Sequence, residues 1–120
     1  DGGRIRGIPV QIGGTSYVPP LPIETVVIER IDEIRSQDKE PIEIAIELCM
    51  YCMKTQVFKD GNKRASVIFA NHYLIAQGIG FLVIPEKDVP EFKKLLVQYY
   101  EGEPLEVIGA FLKERCWKNF

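Results

Sequence analysis

The chain has 120 residues, with 15 Lys plus Arg against 17 Asp plus Glu for a formal net charge of −2, three cysteines and a single histidine, His72. That length predicts one domain over 1–120, and 46% hydrophobic with 27% charged residues is an ordinary globular composition, neither disordered nor membrane-like. The mild charge predicts no bulk nucleic-acid binding, no apolar run approaches the ~20 residues of a membrane helix, and one histidine excludes any two-histidine site.

No signal peptide is visible. Three cysteines are too few and too odd for a disulfide framework, so a reducing, cytoplasmic setting is expected. The first residue is Asp1 rather than Met, so the chain reads as a fragment of a longer one.

Residues 1–22 are dense in glycine and proline. A β-like run from Ile8 to Ile12 is followed by Gly13-Gly14 and then Thr15-Ser16-Tyr17-Val18. Gly-Gly between two such runs predicts a hairpin over 8–19, because glycine supplies positive φ. Pro19, Pro20 and Pro22 then lead the chain out extended.

A first helix is predicted from about Pro22 to Ser36, on the spacing of Ile23, Val26, Val27, Ile31 and Ile34. Pro41 suits the first turn of a second helix, roughly 41–55, whose broad apolar face marks it as buried. A third helix is expected from near Asn62 to about Gln77, stopped by Gly78 and Gly80. Phe81 to Ile84 reads as a short extended stretch. A fourth helix is predicted over about 86–100, ended by Gly102, and a fifth from Pro104 to about Lys118. The fold class is therefore mainly α, about five helices with an N-terminal β-hairpin flap.

Charge is unevenly spread. Residues 24–48 carry −5 and residues 86–106 carry −3, whereas residues 54–64 carry +3. A short basic segment between acidic ones is a candidate anion site, although on charge alone a solvated helix end explains it better.

That basic segment holds Phe58-Lys59-Asp60-Gly61-Asn62-Lys63-Arg64, between two apolar helices. Gly61 permits a tight turn and close approach of a ligand. The third helix offers free N–H groups and a positive dipole end. Lys63 and Arg64 in that first turn oppose the dipole unless an anion sits among them. Asp60 is suited to hold Mg²⁺ beside phosphate oxygens. On the residues alone, a phosphate site and a plain helix cap from Asp60 or Asn62 stand level.

These residues resemble the signature loop of the Fic/Doc (Fido) family, His-x-Phe-x-(Asp/Glu/Ala)-(Gly/Ala)-Asn-(Gly/Lys)-Arg, here over 56–64. Val10 to Pro20 resembles the family's flap hairpin and its proline-rich exit. The order of flap, two helices, loop and helix agrees as well, so the resemblance spans roughly residues 3–80.

The resemblance implies a Fic-type helical bundle and an enzyme class that transfers AMP, or another phosphate-containing moiety, from ATP or another nucleotide with Mg²⁺ to a protein hydroxyl. It implies that Asp60 coordinates Mg²⁺. Gly61, Asn62 and Lys63 line the phosphate cradle, Arg64 grips terminal phosphates with its bidentate fork, and Phe58 anchors the loop. The flap at Gly13, Gly14, Thr15 and Tyr17 would hold a protein target by strand addition. Related domains often dimerise, and the toxin–antitoxin branch of the family implies an inhibitory segment or antitoxin as a further partner. The family's inhibitory Ser/Thr-x-x-x-Glu-Gly/Asn helix is not evident in this chain.

Three positions depart from the pattern. The family histidine, which takes the proton of the target hydroxyl, falls at Gln56. An amide orients a hydroxyl but accepts no proton at neutral pH, and loss of a general base costs ~10²–10⁴-fold. His72 is no substitute, ten residues and about 15 Å beyond Asn62 along a helix. Lys63 stands where AMP-transferring members usually have Gly, which resembles the Doc branch and its transfer of phosphate itself. Val67 stands where many members carry a second arginine. Gln56 thus raises three readings: a nucleotide-binding protein without its base, a non-catalytic module that binds protein through the flap, and a Doc-like phosphotransferase.

Cys49-Met50-Tyr51-Cys52 could in principle join Cys116 and His72 at a zinc ion. The pair lies inside an apolar helix, so small core residues are the better account. Tyr99, Tyr100, Phe111 and Trp117 read as core or helix-packing aromatics.

Overall fold

A computed structural model describes residues 17, 19, 21–57 and 62–120. Those residues form five α-helices and a two-stranded antiparallel sheet: α1 (Glu24–Arg35), α2 (Pro41–Thr55), α3 (Asn62–Ala76), β1 (Gly80–Leu82), α4 (Val89–Tyr100), α5 (Leu105–Arg115) and β2 (Trp117–Asn119). A 3₁₀ turn, Glu86–Asp88, leads into α4. The expected hairpin over 8–19, with Gly13, Gly14 and Thr15, lies outside the described residues apart from Tyr17 and Pro19.

Helix α2 is the axis of the molecule. Pro41 sits in its first turn, where a missing N–H is harmless. Nine of its 15 residues are buried, on more than one face. Ile42, Ala45, Ile46, Cys49, Met50 and Met53 join Phe92, Leu96 and Tyr100 of α4, Ile108 and Leu112 of α5, and Ala70 and Leu74 of α3. Ile44 and Leu48 pack instead with Ile34 of α1. A helix so widely apolar is stable only when surrounded.

Helix α1 is thinner in its contribution. It buries Val27 and Ile34 and half-buries Ile31, an i, i+4, i+7 stripe against α2. Glu47 of α2 receives Arg30 at 3.4 Å, Lys39 at 3.6 Å and the Gln37 amide at 2.9 Å. These ties gather the end of α1 and the loop after it onto α2. Ile23, Val26 and Ile28 remain exposed on its other face.

Helix α3 buries Ser66, Ala70 and Leu74, one residue per turn. It ends in paired bonds, Ile79 N to Leu74 O and Gly78 N to Ile75 O, with Gly78 left-handed at φ 73°. This is a Schellman cap with glycine in the position that demands it.

The fifth helix was expected to reach Lys118, but it stops at Arg115. Trp117–Asn119 instead forms β2, with Gly80 opposite Asn119, Phe81 opposite Lys118 and Leu82 opposite Trp117. The Val83 N–H to Cys116 O bond at 2.9 Å and the Phe120 N–H to Ile79 O bond at 3.1 Å extend the pairing at both ends. Sheet bonds to a distant strand thus override the local helical spacing. A Cβ at Gly80 would collide with the Lys118 carbonyl and stand 2.7 Å from the Trp117 ring, so the crossing needs glycine.

Candidate functional site

The end of α2 delivers Gln56, and it does so under strain. Gln56 has φ 49° and ψ 52°, the one positive φ outside glycine among the described residues. The Val57 N–H donates to Cys52 O at 3.2 Å and the Gln56 N–H to Met53 O at 3.2 Å. That is the same Schellman cap that ends α3, with Gln56 where α3 has Gly78. Val57 is 1% exposed and packs with Cys52 and Val27, the apolar contact that accompanies this motif. A left-handed residue with a Cβ costs roughly 1–2 kcal/mol. Strain of this kind is kept where a side chain is needed.

The Gln56 side chain is held. Its Nε2 donates to Met53 O at 2.7 Å. The Tyr100 hydroxyl, from the last turn of α4, donates to the same carbonyl at 3.4 Å. Tyr100 is 3% exposed, and burial first, then the Cys49 thiol, pushes its phenol well above the ordinary tyrosine range. A hydrogen bond from the Gln56 side chain pulls the other way.

Tyr17, at the expected flap exit, reaches the same place. Its ring stacks on Tyr100 with centroids 5.9 Å apart and planes 23° from parallel. Lys54, one turn before Val57, lays its Nζ 5.6 Å from the Tyr17 ring centre and 4.9 Å from that of Tyr99. Cation–π attraction of this geometry holds the lysine over both rings. Three segments distant in sequence therefore meet: residue 17, Met53 to Gln56, and both tyrosines of the α4 end.

Beyond Val57, Phe58, Lys59, Asp60 and Gly61 lie outside the described residues. The chain re-enters at Asn62, the first residue of α3. Lys63 and Arg64 are exposed there, and the first turn of α3 contains no acidic residue to balance them. Two cations on a positive dipole end favour an anion. Ser66, one turn further on, is fully buried, and its Oγ meets no hydrogen-bond partner among the described residues.

The other chemistry-bearing residues sit elsewhere. His72 is exposed and lines a shallow cleft with Arg35, Leu48, Phe69, Tyr73, Ala76 and Gln77. Cys49, Cys52 and Cys116 are buried free thiols. Burial raises all three, Cys52 to about 12 and Cys116 to about 11, where they stay protonated and unreactive at neutral pH. No group of three or more His, Cys, Asp or Glu among the described residues could hold a metal ion.

A comparison with protein-family models matches residues 1–74 to the Fic/DOC family. The chain belongs to the Fic/DOC family. The match runs from the flap region through α1, α2 and the loop almost to the end of α3. A comparison with curated proteins finds no match. Fic proteins generally bind a nucleotide with Mg²⁺ and transfer part of it. The exposed Lys63 and Arg64 at a helix N-terminus suit phosphate chemistry, while Asp60, the expected Mg²⁺ ligand, lies outside the described residues.

Two neighbours of Gln56 escaped the sequence. Tyr100 read as a packing aromatic and Lys54 as one charge among several. No spacing links residue 100 to residue 56; only the packing of α4 on α2 does. Tyr17, expected in the target-holding flap, also stacks on Tyr100.

Proposed function

We propose that this Fic protein binds the phosphates of a nucleotide with Mg²⁺ at residues 58–64, and that Gln56 leaves it without the base that would activate a target hydroxyl. The observation that carries this reading is the strained left-handed Gln56, fixed at the mouth of the loop whose far side presents Lys63 and Arg64. A structural cap alone would be served better by glycine, as Gly78 serves α3. Arg64 supplies a planar fork for terminal phosphate oxygens, and the N–H groups at the start of α3 complete the cradle. Asp60 and the phosphates would share Mg²⁺, which would neutralise charge on the transferred group. Gln56 can orient a hydroxyl through its carbonyl oxygen but cannot take its proton.

The proposed setting follows the family: a cytoplasmic protein of the toxin–antitoxin type, a protein target held at the flap by Gly13, Gly14, Thr15 and Tyr17, with a second copy and an inhibitory segment or antitoxin as further partners.

Calorimetric titration with Mg-ATP tests binding, with NMR shifts at Lys63 and Arg64 as the local report. Heat and shifts that vanish in Arg64→Ala support the reading. Neither signal in the natural chain would leave the loop a relic and favour a flap-based binding module. Gln56→His should then create transfer from ATP to protein. Lys63, exposed in the first turn of α3, favours a second reading in which phosphate itself is the group moved. Label from the γ-phosphate but not the α-phosphate of ATP appearing on protein identifies that case.

A further inference from the structure

Three donors converge on one carbonyl. Met53 O receives the Gln56 backbone N–H at 3.2 Å, the Gln56 Nε2 at 2.7 Å and the Tyr100 hydroxyl at 3.4 Å. A carbonyl oxygen has two lone pairs, so the three share. The backbone donor is fixed by the cap. The remaining two, an amide with three rotatable bonds and a phenol set rigidly in the core, must settle against each other.

Tyr100 is the rigid member. Its ring is 3% exposed, packed in the cluster of Met50, Met53, Leu96 and Ile108, and backed by the Tyr17 ring. The side chain at 56 is therefore the one that adapts. We infer that Tyr100 is a positioning residue for the side chain at position 56, its hydroxyl and the Met53 carbonyl together fixing which way that side chain points.

The inference deepens the proposed function and rests on it, because direction matters most if residue 56 faces a target hydroxyl. It also gives a physical account of what a histidine would meet there. An imidazole that donates one N–H to the Met53 carbonyl has its other nitrogen free to accept a proton. Anchors of this kind set the tautomer of a working histidine.

The test is NMR on the full chain, and it needs no nucleotide. In the unsubstituted protein, the Gln56 carboxamide protons should exchange with solvent more slowly than those of the exposed Gln77. Tyr100→Phe keeps the ring and removes only the hydroxyl. It should change the exchange rate of the Gln56 carboxamide about 2–10-fold, the effect of one net hydrogen bond. Tyr99→Phe, which alters a neighbouring ring, should not.

In Gln56→His, the ¹⁵N shifts should show one dominant tautomer of the introduced imidazole. Adding Tyr100→Phe should move the tautomer ratio by about 2–10-fold. Exchange of the Gln56 carboxamide as fast as that of the exposed Gln77 in the unsubstituted chain would overturn the inference without any further variant. So would an unchanged exchange rate and tautomer ratio in folded Tyr100→Phe chains, or an equal effect from Tyr99→Phe. Loss of Mg-ATP binding with these NMR effects intact would remove the nucleotide reading and keep Tyr100 in its role.

Discussion

The ring of Tyr17 lies on the ring of Tyr100, 5.9 Å between centres and 23° from parallel. Through that stack the segment before α1 rests on the last turn of α4, beside the carbonyl that anchors Gln56. Lys54 covers the Tyr17 ring from α2.

Tyr17→Ala removes the stack, worth about 0.5–1.5 kcal/mol beyond area burial, and one of the two ring faces under Lys54, worth about 0.5–1 kcal/mol. Stability should fall by about 1–2 kcal/mol in urea unfolding. Tyr17→Phe should lose less than half of that. Equal losses in both variants would mean the hydroxyl, not the ring, carries the contact.

Gln56 separates strain from function. Gln56→Gly relieves the left-handed backbone by about 1 kcal/mol and deletes the side-chain bond to Met53, also about 1 kcal/mol. The expected net change is within about 1 kcal/mol of zero. Gln56→Val, branched at Cβ and unsuited to positive φ, loses the same bond and adds strain. It should destabilise by about 2 kcal/mol. Denaturant midpoints of the two variants decide it, and equal midpoints would show that the left-handed cap does not persist in solution.

Most of the helical frame was legible in the sequence, because its punctuation is local. Pro41 marks the start of α2, Asn62 that of α3, and Gly78 and Gly102 follow the ends of α3 and α4. The last helix was read too long because Ile108, Leu112 and Cys116 keep helical spacing up to the point where β2 begins. What stops α5 is pairing with residues 80–82, almost 40 positions earlier, and no local residue announces it. The loop motif at 56–64 is local too, and the family match covers it. Tyr100 and Lys54 were invisible as site neighbours because only tertiary packing brings them to Gln56.

Ser66 is a buried hydroxyl that has no partner among the described residues. Ser66→Ala removes an unmet polar group, about 1 kcal/mol, and adds helix propensity, about 0.5 kcal/mol. The variant should be more stable by about 1–2 kcal/mol in thermal or urea unfolding. A loss of stability instead would show that a bound water, or a partner outside the described residues, satisfies the hydroxyl in solution.

Stability should also fall in alkali. Cys49, Cys52, Cys116 and Tyr100 all hold their protons more tightly in the fold than at their ordinary values of 9.0 for a thiol and 10.0 for a phenol. Below those values both states keep the protons and stability is full. Above about pH 9 the unfolded chain releases thiol protons that the fold retains, so stability drops as pH rises, by at most about 1.4 kcal/mol per pH unit for each such group. Urea midpoints from pH 7 to 10.5 should be flat to about 9 and then decline. Cys52→Ala should make the decline shallower. An unchanged slope would mean that thiol burial is not its source.

Asn71 has a consequence at the opposite end of α3 from the loop. Its amide nitrogen donates to Leu82 O at 2.8 Å, and its amide oxygen accepts the Leu82 N–H at 2.6 Å. One side chain thus does for Leu82 what a neighbouring strand would do. The open edge of a two-stranded sheet is ordinarily a template on which foreign chains assemble. Here the last residue of β1, the buried Leu82, has both its backbone groups on that edge taken up by a single carboxamide, which blunts the edge against association with another chain.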